Sequence, residues 1–223
     1  MVVASGGLRA ASRLRIKDDV LSVLREAIIS GSFAPGQHLR EEDLAGQLQV
    51  SRGPVRDALA TLGHEGLVRI EPHKGATVPL LARRDVDEVY SLRLAMETLA
   101  ARWAVEHATA DDLAALEAVL AEVPAALDSG DARAVSDLDV RFHDAFYRAA
   151  HHERLYVFWR SVRSQVSRFL FSRNTVVPTT REIALDEHAH LLELLRQRAE
   201  DELVEAVQAH LRGAYDRLTA QYD

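Results

Sequence analysis

The sequence predicts a mainly α-helical protein: an N-terminal winged helix-turn-helix with a small β-hairpin wing, then a C-terminal all-helical antiparallel bundle. Three observations predict it. Glycine and proline crowd the first part of the chain, and beyond Pro79 only Pro124, Gly130, Pro178 and Gly213 remain, so short elements joined by turns give way to long helices. Charge divides at the same place: residues 1–80 carry +1 and residues 81–223 carry −8, together the net −7. Periodicity then gives helix, helix, turn, helix and hairpin in order, followed by six helices.

Taken in order, residues 1–13 read as a flexible leader, because they lack the continuous apolar core of a secretion signal. Residues 14–80 form the first domain. Val20, Leu21, Leu24, Ile28 and Ile29 recur at helical spacing, and Gly31 is placed to stop that helix. After the turn FAPGQ a short helix fits 41–48, with Leu44 and Leu48 inward. Ser51 is a good N-cap for a helix over 52–63, where Pro54 falls in the first turn and disrupts no intrahelical bond. LVRIE (67–71) and ATVPL (76–80) alternate as strands around Pro72-His73-Lys74-Gly75. Residues 81–223 form the second domain, with helices over 83–108, 111–128, 131–150, 152–173, 180–198 and 200–221. Asp111, Asp131 and Thr180 stand at N-cap positions.

Composition excludes several classes. The 223 residues, 24.8 kDa and 48% hydrophobic content support one large core or two small ones. Without cysteine there is no disulfide framework, thiolate zinc finger, iron–sulfur cluster or cysteine nucleophile. No apolar run approaches the roughly 18 residues that span a bilayer. The expectation is a soluble, cytoplasmic protein of bacterial type with no membrane partner.

An acidic total does not exclude nucleic acid, because binding needs a local basic face. The run VSRGPVRDAL puts Arg52 and Arg56 one turn apart on one side of the candidate recognition helix, opposite Val55, Leu59 and Leu62. The major groove calls for forked donors at guanine edges and cations at phosphate. Small residues at Ser51 and Gly53 let the backbone approach phosphate, and His73 and Lys74 sit at the wing tip. Two arginines alone could be a solvated face. Here they stand inside a complete helix-turn-helix-wing order.

The stretch SGSFAPGQHLREEDLAGQLQVSRGPVRDALATLGHEGLVRIEPHKGATV resembles the winged helix-turn-helix of the GntR family of bacterial transcription regulators. PGQ-x-L, E-x-x-LA, VSR-x-PVR-x-AL, L-x-x-EGLV and KGA-x-V carry the resemblance over residues 14–80. It implies that Arg52 and Arg56 reach operator bases or phosphates, and that His73, Lys74 and Gly75 approach the minor groove. Arg40 stands where a small N-capping residue is common. Glu42 replaces a DNA-contacting arginine of some members, and its charge would repel phosphate.

The helical half carries a polar constellation. On 131–150 the apolar arc is Val135, Leu138, Phe142, Phe146 and Ala149, with Asp139 at its edge and His143 one turn on. His188 falls within the arc of Ala184, Leu191 and Leu195, and His210 within that of Leu203, Ala206, Val207 and Ala214. One inward histidine is ordinarily core packing. Three, with an inward aspartate, suit a divalent ion held by nitrogen and oxygen: Zn²⁺, Ni²⁺, Mn²⁺ or Fe²⁺, with Zn²⁺ or Ni²⁺ favoured. Arg93 also lies in an inward arc, one turn before Glu97. It either pairs with Glu97 or receives a ligand carboxylate in its fork. Arg163 and Arg173 point weakly toward the same cavity.

This half resembles the FadR-type C-terminal domain, the FCD domain, of GntR regulators. The carrying residues are R-x-x-x-E at Arg93/Glu97, D-x-x-FH at Asp139–His143, EH-x-x-L at Glu187–Leu191, and His210-Leu211. The resemblance implies a dimeric helical bundle with Asp139, His143, His188 and His210 as metal ligands, and a small carboxylate effector beside the metal. The loop HHERL at 151–155 departs from the family pattern.

The expected function is a one-component transcription regulator, read as a repressor: a homodimer on a palindromic double-stranded DNA operator, modulated by a small carboxylate that binds beside the metal near Arg93 and Glu97. It is not expected to be an enzyme. A metalloenzyme is the rival, since such a site could activate water, but no general base stands apart from the ligands. A third reading makes the metal purely structural.

Overall fold

Residues 10–71, 75–177 and 179–220 are described by a computed structural model, with the side chains of residues 10–15 outside the description. The chain forms two compact units, Met1–Leu80 and Leu81–Asp223.

In the first unit, α1 (Ala10–Ile29) packs on α3 (Arg52–His64), with α2 (Glu41–Leu48) against α3. Val20, Leu24 and Ile28 of α1 and Val55, Ala58, Leu59 and Leu62 of α3 are buried. The positive φ of Gly31 follows the end of α1, a conformation that glycine reaches without a Cβ penalty. Helix α1 begins earlier than the sequence indicated, since residues 10–13 of the supposed leader are helical; the rest of that leader lies outside the described residues. Ala10, Ala11, Arg13 and Leu14 are strong helix formers with no breaker among them.

The wing is a three-stranded antiparallel sheet in the order β1-β3-β2. Strands β2 (Arg69–Glu71) and β3 (Gly75–Thr77) form the expected hairpin in shortened form. Leu67 and Val68 serve the core instead, and Val78 bonds through its backbone to Gly36 and Gln37. Strand β1 (His38–Leu39), which pairs with Thr77 and Ala76, was not expected. Two residues carry no readable alternation. Gly75 is obligatory here: its φ is +98°, and a Cβ would stand 2.8 Å from the Leu39 carbonyl oxygen.

The second unit contains α4 (Arg83–His107), α5 (Ala110–Ser129), α6 (Ala132–Ala149), α7 (Glu153–Val176), α8 (Glu187–Arg196) and α9 (Glu200–Thr219). Neighbouring pairs α5/α6, α6/α7, α8/α9 and α4/α9 pack into a bundle. Asp131 caps α6, accepting from the Arg133 and Ala134 amides. The cap of α5 is Thr109 rather than Asp111: Thr109 Oγ1 accepts from Asp112 N, and the Asp112 carboxylate accepts from Thr109 N. That reciprocal capping box satisfies two amides where a single cap satisfies one. Thr180 Oγ1 accepts from Ile183 N at 3.4 Å, but a π-helical turn, Glu182–Asp186, intervenes before α8. Helix α7 supplies the largest of the fully buried side chains. Its Trp159, stacked on Tyr147 with centroids 4.7 Å apart, is fully buried with Phe142, Phe146 and Phe169. Burial of each such phenylalanine stabilises the unit by about 1.5–3 kcal/mol.

Candidate metal centre and DNA-reading helix

Three helices of the second unit bring their imidazoles together. His143 (α6), His188 (α8) and His210 (α9) are all buried, and each offers a ring nitrogen within 4.8 Å of the others. His143 Nε2 and His210 Nε2 stand 3.4 Å apart. Asp139, one turn before His143 on α6, places Oδ1 3.5 Å from His188 Nε2 and Oδ2 3.9 Å from His143 Nε2.

In each ring the other nitrogen faces an acceptor. His210 Nδ1 donates to Glu187 Oε2 at 2.7 Å, and His188 Nδ1 donates to the Ile183 carbonyl at 3.2 Å. His143 Nδ1 lies 2.9 Å from Glu97 Oε2, off the line of a straight hydrogen bond. A proton held at Nδ1 leaves the Nε2 lone pair directed inward, the usual support for a metal-binding histidine. The sequence pointed to Glu97 as a partner of Arg93 and to Glu187 only as a motif member, and the contacts of the two to His143 and His210 were not expected. The Ile183 carbonyl had no sequence signal at all, because it belongs to the π-helical turn.

The residues fit a divalent cation. Among the described residues His188 Nε2 and Asp139 Oδ2 are buried without a hydrogen-bond partner, and such orphans are rare unless something else satisfies them. Nitrogens bound to one tetrahedral zinc at ~2.0–2.1 Å stand roughly 3.3–3.4 Å apart, the separation seen between His143 and His210. Burial works to raise the Asp139 carboxyl, but His143, His188 and Arg93 overcome it and hold it below its ordinary value. Burial also pushes the His143 imidazole down, and lowers His188 well below the usual range, with His210 adding to the effect. Ionised aspartate and neutral imidazoles are the forms that bind metal.

Arg93 makes the first of the two contacts that the sequence left open, the pair with Glu97. Its Nε donates to Glu97 Oε1 at 2.5 Å, with both side chains 1% exposed. Its second terminal nitrogen is buried without a partner, and the guanidinium carbon lies 5.6 Å from the Tyr90 ring centroid and 5.8 Å from that of Trp159. Arg93, Asp139, His188 and His210 line one cleft, and Arg173 lines it too. Arg163 does not reach it: Asp144 holds it at 2.5 Å. His190 is exposed on the far face of α8.

In the first unit, Arg52 and Arg56 are exposed one turn apart at the start of α3, and both engage one carboxylate, Glu41 of α2. Arg52 lies 3.2 Å from Glu41 Oε2, and Arg56 lies 2.9 Å from the same oxygen. These pairs pull Glu41 below its ordinary value, with the Arg56 hydrogen bond the largest cause. Ser51 has the extended backbone of an N-cap, yet its side chain makes no capping bond. Arg40 holds the N-cap position of α2, also without one. Arg40, Glu42, Arg52, Arg56 and Gly75 line one groove of about 620 Å³. Gly53 is exposed, and a Cβ there would meet nothing within 4 Å. His73 and Lys74 lie outside the described residues.

Two family models match the chain: the FCD domain over residues 88–213, and the gntR family of bacterial regulatory proteins over residues 16–78. The chain is similar to the Nta operon transcriptional regulator of Aminobacter aminovorans, 33% identical over 85% of this chain and 88% of that one. It is also similar to a probable D-xylose utilization operon transcriptional repressor of Paenarthrobacter nicotinovorans, 29% identical over 95% and 93%. Among solved structures, Escherichia coli McbR/YncC is similar with a TM-score of 0.81, at 25% identity over 93% of this chain and 99% of that one. Among the described residues no helix is long and apolar enough to cross a membrane.

Proposed function

Because the chain belongs to the gntR family of bacterial regulatory proteins, with an FCD domain behind its winged helix, we propose that this DNA-binding transcription regulator is controlled by a small carboxylate bound beside a divalent metal. The convergence of three Nε2 atoms beside Asp139, each with its Nδ1 turned to an acceptor, is the observation that supports it. Asp139, His143, His188 and His210 would hold the ion. Three imidazoles and one carboxylate suit Zn²⁺ or Ni²⁺, which stand above Mn²⁺ and Fe²⁺ in the general affinity order. The bound ion supplies a Lewis-acidic point for a carboxylate oxygen, and the unpartnered nitrogen of Arg93 supplies a donor for the same group. Glu97 keeps Arg93 charged and oriented. Arg52 and Arg56 read operator bases, while Ser51, Gly53, Arg40, Gly75 and the wing residues His73 and Lys74 approach the backbone and minor groove.

Repression is the favoured sense, as in the relatives described as repressors. A ligand switches DNA affinity only by binding one arrangement of the protein better than another. With a duplex selected by the protein from a random library, metal-loaded protein is expected to change its affinity about fivefold or more in at least one of a panel of small carboxylates. Chelator-stripped protein should not respond. Indifference of both forms to the whole panel would leave the metal a structural role and overturn the effector reading.

The functional unit is a homodimer built on the second unit. Leu92, Leu99 and Trp103 form one exposed stripe along α4, and the Trp103 ring meets His152 at the start of α7 with centroids 4.5 Å apart. Val157 and the 64% exposed Phe158 extend that apolar surface along α7. Contiguous apolar surface of this kind marks an interaction site. Sedimentation should give about twice 24.8 kDa for the wild type and 24.8 kDa for Phe158→Asp/Leu99→Asp. A dimer that survives both charges would place the interface elsewhere.

A further inference from the structure

We infer that Arg173 and Arg217 form a second anion-binding end of the cleft, so that its ligand is a short dicarboxylate rather than a monoacid. This rests on the carboxylate reading above and specifies it further.

Both arginines line the cleft with Asp139, His188 and His210. Arg217 stands seven residues beyond His210 on α9, about 10 Å along the helix. Arg173 is held at the end of α7 by a built network. Its terminal nitrogen donates to Asn174 Oδ1 at 2.8 Å, Asn174 Nδ2 donates to Ser136 Oγ at 2.9 Å, and Ser136 Oγ donates to the Ala132 carbonyl at 2.7 Å. Ser136 lies one turn before Asp139 on α6, roughly 4.5 Å along that helix. The Arg217 guanidinium folds back to Gly213, three residues beyond His210, and Arg173 is tied through Asn174 to Ser136, three residues before Asp139, so the second end lies about one helical turn from the proposed metal ligands.

Neither arginine is fully matched. Arg173 is 8% exposed, and its hydrogen bond among the described residues is to a neutral amide. Burial and the neighbouring Arg217 both lower it. Arg217 reaches Glu187 only at 3.5 Å, while the other Glu187 oxygen serves His210. The Tyr90 side chain, 4% exposed and packed beside Arg93, lines the same cleft. Two adjacent guanidiniums form an incomplete site that an anion completes.

A glycine supports the same reading. Gly213 sits inside α9, a position that ordinarily disfavours glycine. A Cβ there would stand 2.9 Å from an Arg217 terminal nitrogen, the end of a flexible side chain, so a methyl group would shift the guanidinium from its present place along the helix.

Charge points the same way. Arg93, Arg173 and Arg217 balance Asp139, Glu97 and Glu187 around the cleft. A divalent cation then leaves two positive charges, which a dianion neutralises and a monoanion does not. The enclosed space is about 30 Å³, room for a water or two, so the side chains lining the cleft must move outward to admit even a short dianion.

The test is calorimetry on zinc-loaded, full-length protein with succinate, glutarate and butyrate. The better diacid should bind at least about tenfold more tightly than butyrate, since a charged hydrogen-bonded pair contributes at least that much. Arg173→Gln and Arg217→Gln should bring the diacid down to the butyrate level and leave butyrate unchanged. Gly213→Ala should weaken the diacid selectively, and circular dichroism establishes that each variant is folded. Equal binding of diacid and monoacid by the wild type would overturn the second subsite and leave the carboxylate reading standing. Binding of none of the three acids would overturn both.

Discussion

Arg52→Ala/Arg56→Ala is expected to lose sequence-specific DNA binding while keeping its fold. A forked arginine contact to a guanine edge contributes about tenfold or more in discrimination. The proposed homodimer loses two per subunit, four in all, so affinity for a selected duplex should fall about ten-thousandfold. Stability should be unaffected, because both side chains are exposed and lie on the face of α3 opposite Val55, Leu59 and Leu62. Their bonds to Glu41 do not oppose this role. Exposed ion pairs are weak and screened by salt, so phosphate or guanine readily displaces the carboxylate. Until then Glu41 holds both guanidiniums at the groove. Arg56→Lys separates charge from geometry: it should retain salt-dependent binding to random duplex but lose discrimination, because lysine has no fork. Fluorescence anisotropy against selected and random duplexes reads both quantities. A double alanine variant that holds the selected duplex as tightly as the wild type would end the assignment of α3 as the reading helix.

The architecture was legible because its signals are periodic. The arcs through Val135, Leu138, Phe142 and Phe146, and through Leu203, Val207 and Ala214, identify α6 and α9, and they put His143 and His210 on inward faces where the structure buries them. The details that escaped depend on tertiary contact or on very short stretches. Glu41 meets Arg52 and Arg56 only because α2 docks on α3, eleven and fifteen residues away in sequence. Strand β1 is two residues long. The π-helical turn before α8 has no compositional mark, yet its Ile183 carbonyl orients His188. Thr109 outcompeted Asp111 because its partner, Asp112, returns the bond.

Asp139→Ala/His188→Ala is expected to abolish metal binding in a protein that remains folded. Plasma mass spectrometry should find about one equivalent of zinc or nickel in untagged wild type and none in the variant. Asp139 is the only anion among the four proposed ligands, so its loss removes both a donor and the charge that offsets the cation. His188→Ala also opens a void in the bundle, so Asp139→Asn/His188→Gln, which preserves volume, is the companion variant. Saturation at a hundred times the dissociation constant stabilises a protein by about 2.7 kcal/mol. In a domain of this size that shifts the melting temperature by roughly 5–10 °C. The shift should appear on adding metal to stripped wild type and be absent from both variants. Glu97→Gln probes the support of His143: orienting partners of this kind typically contribute about 10–100-fold to metal affinity, so the ion should be weakened and not lost. Metal retained at one equivalent by both double variants would assign it to other residues. No metal in freshly purified wild type, with no thermal response on adding zinc or nickel, would leave the three imidazoles as packing. Any effector would then have to be held by Arg93, Arg173 and Arg217 alone.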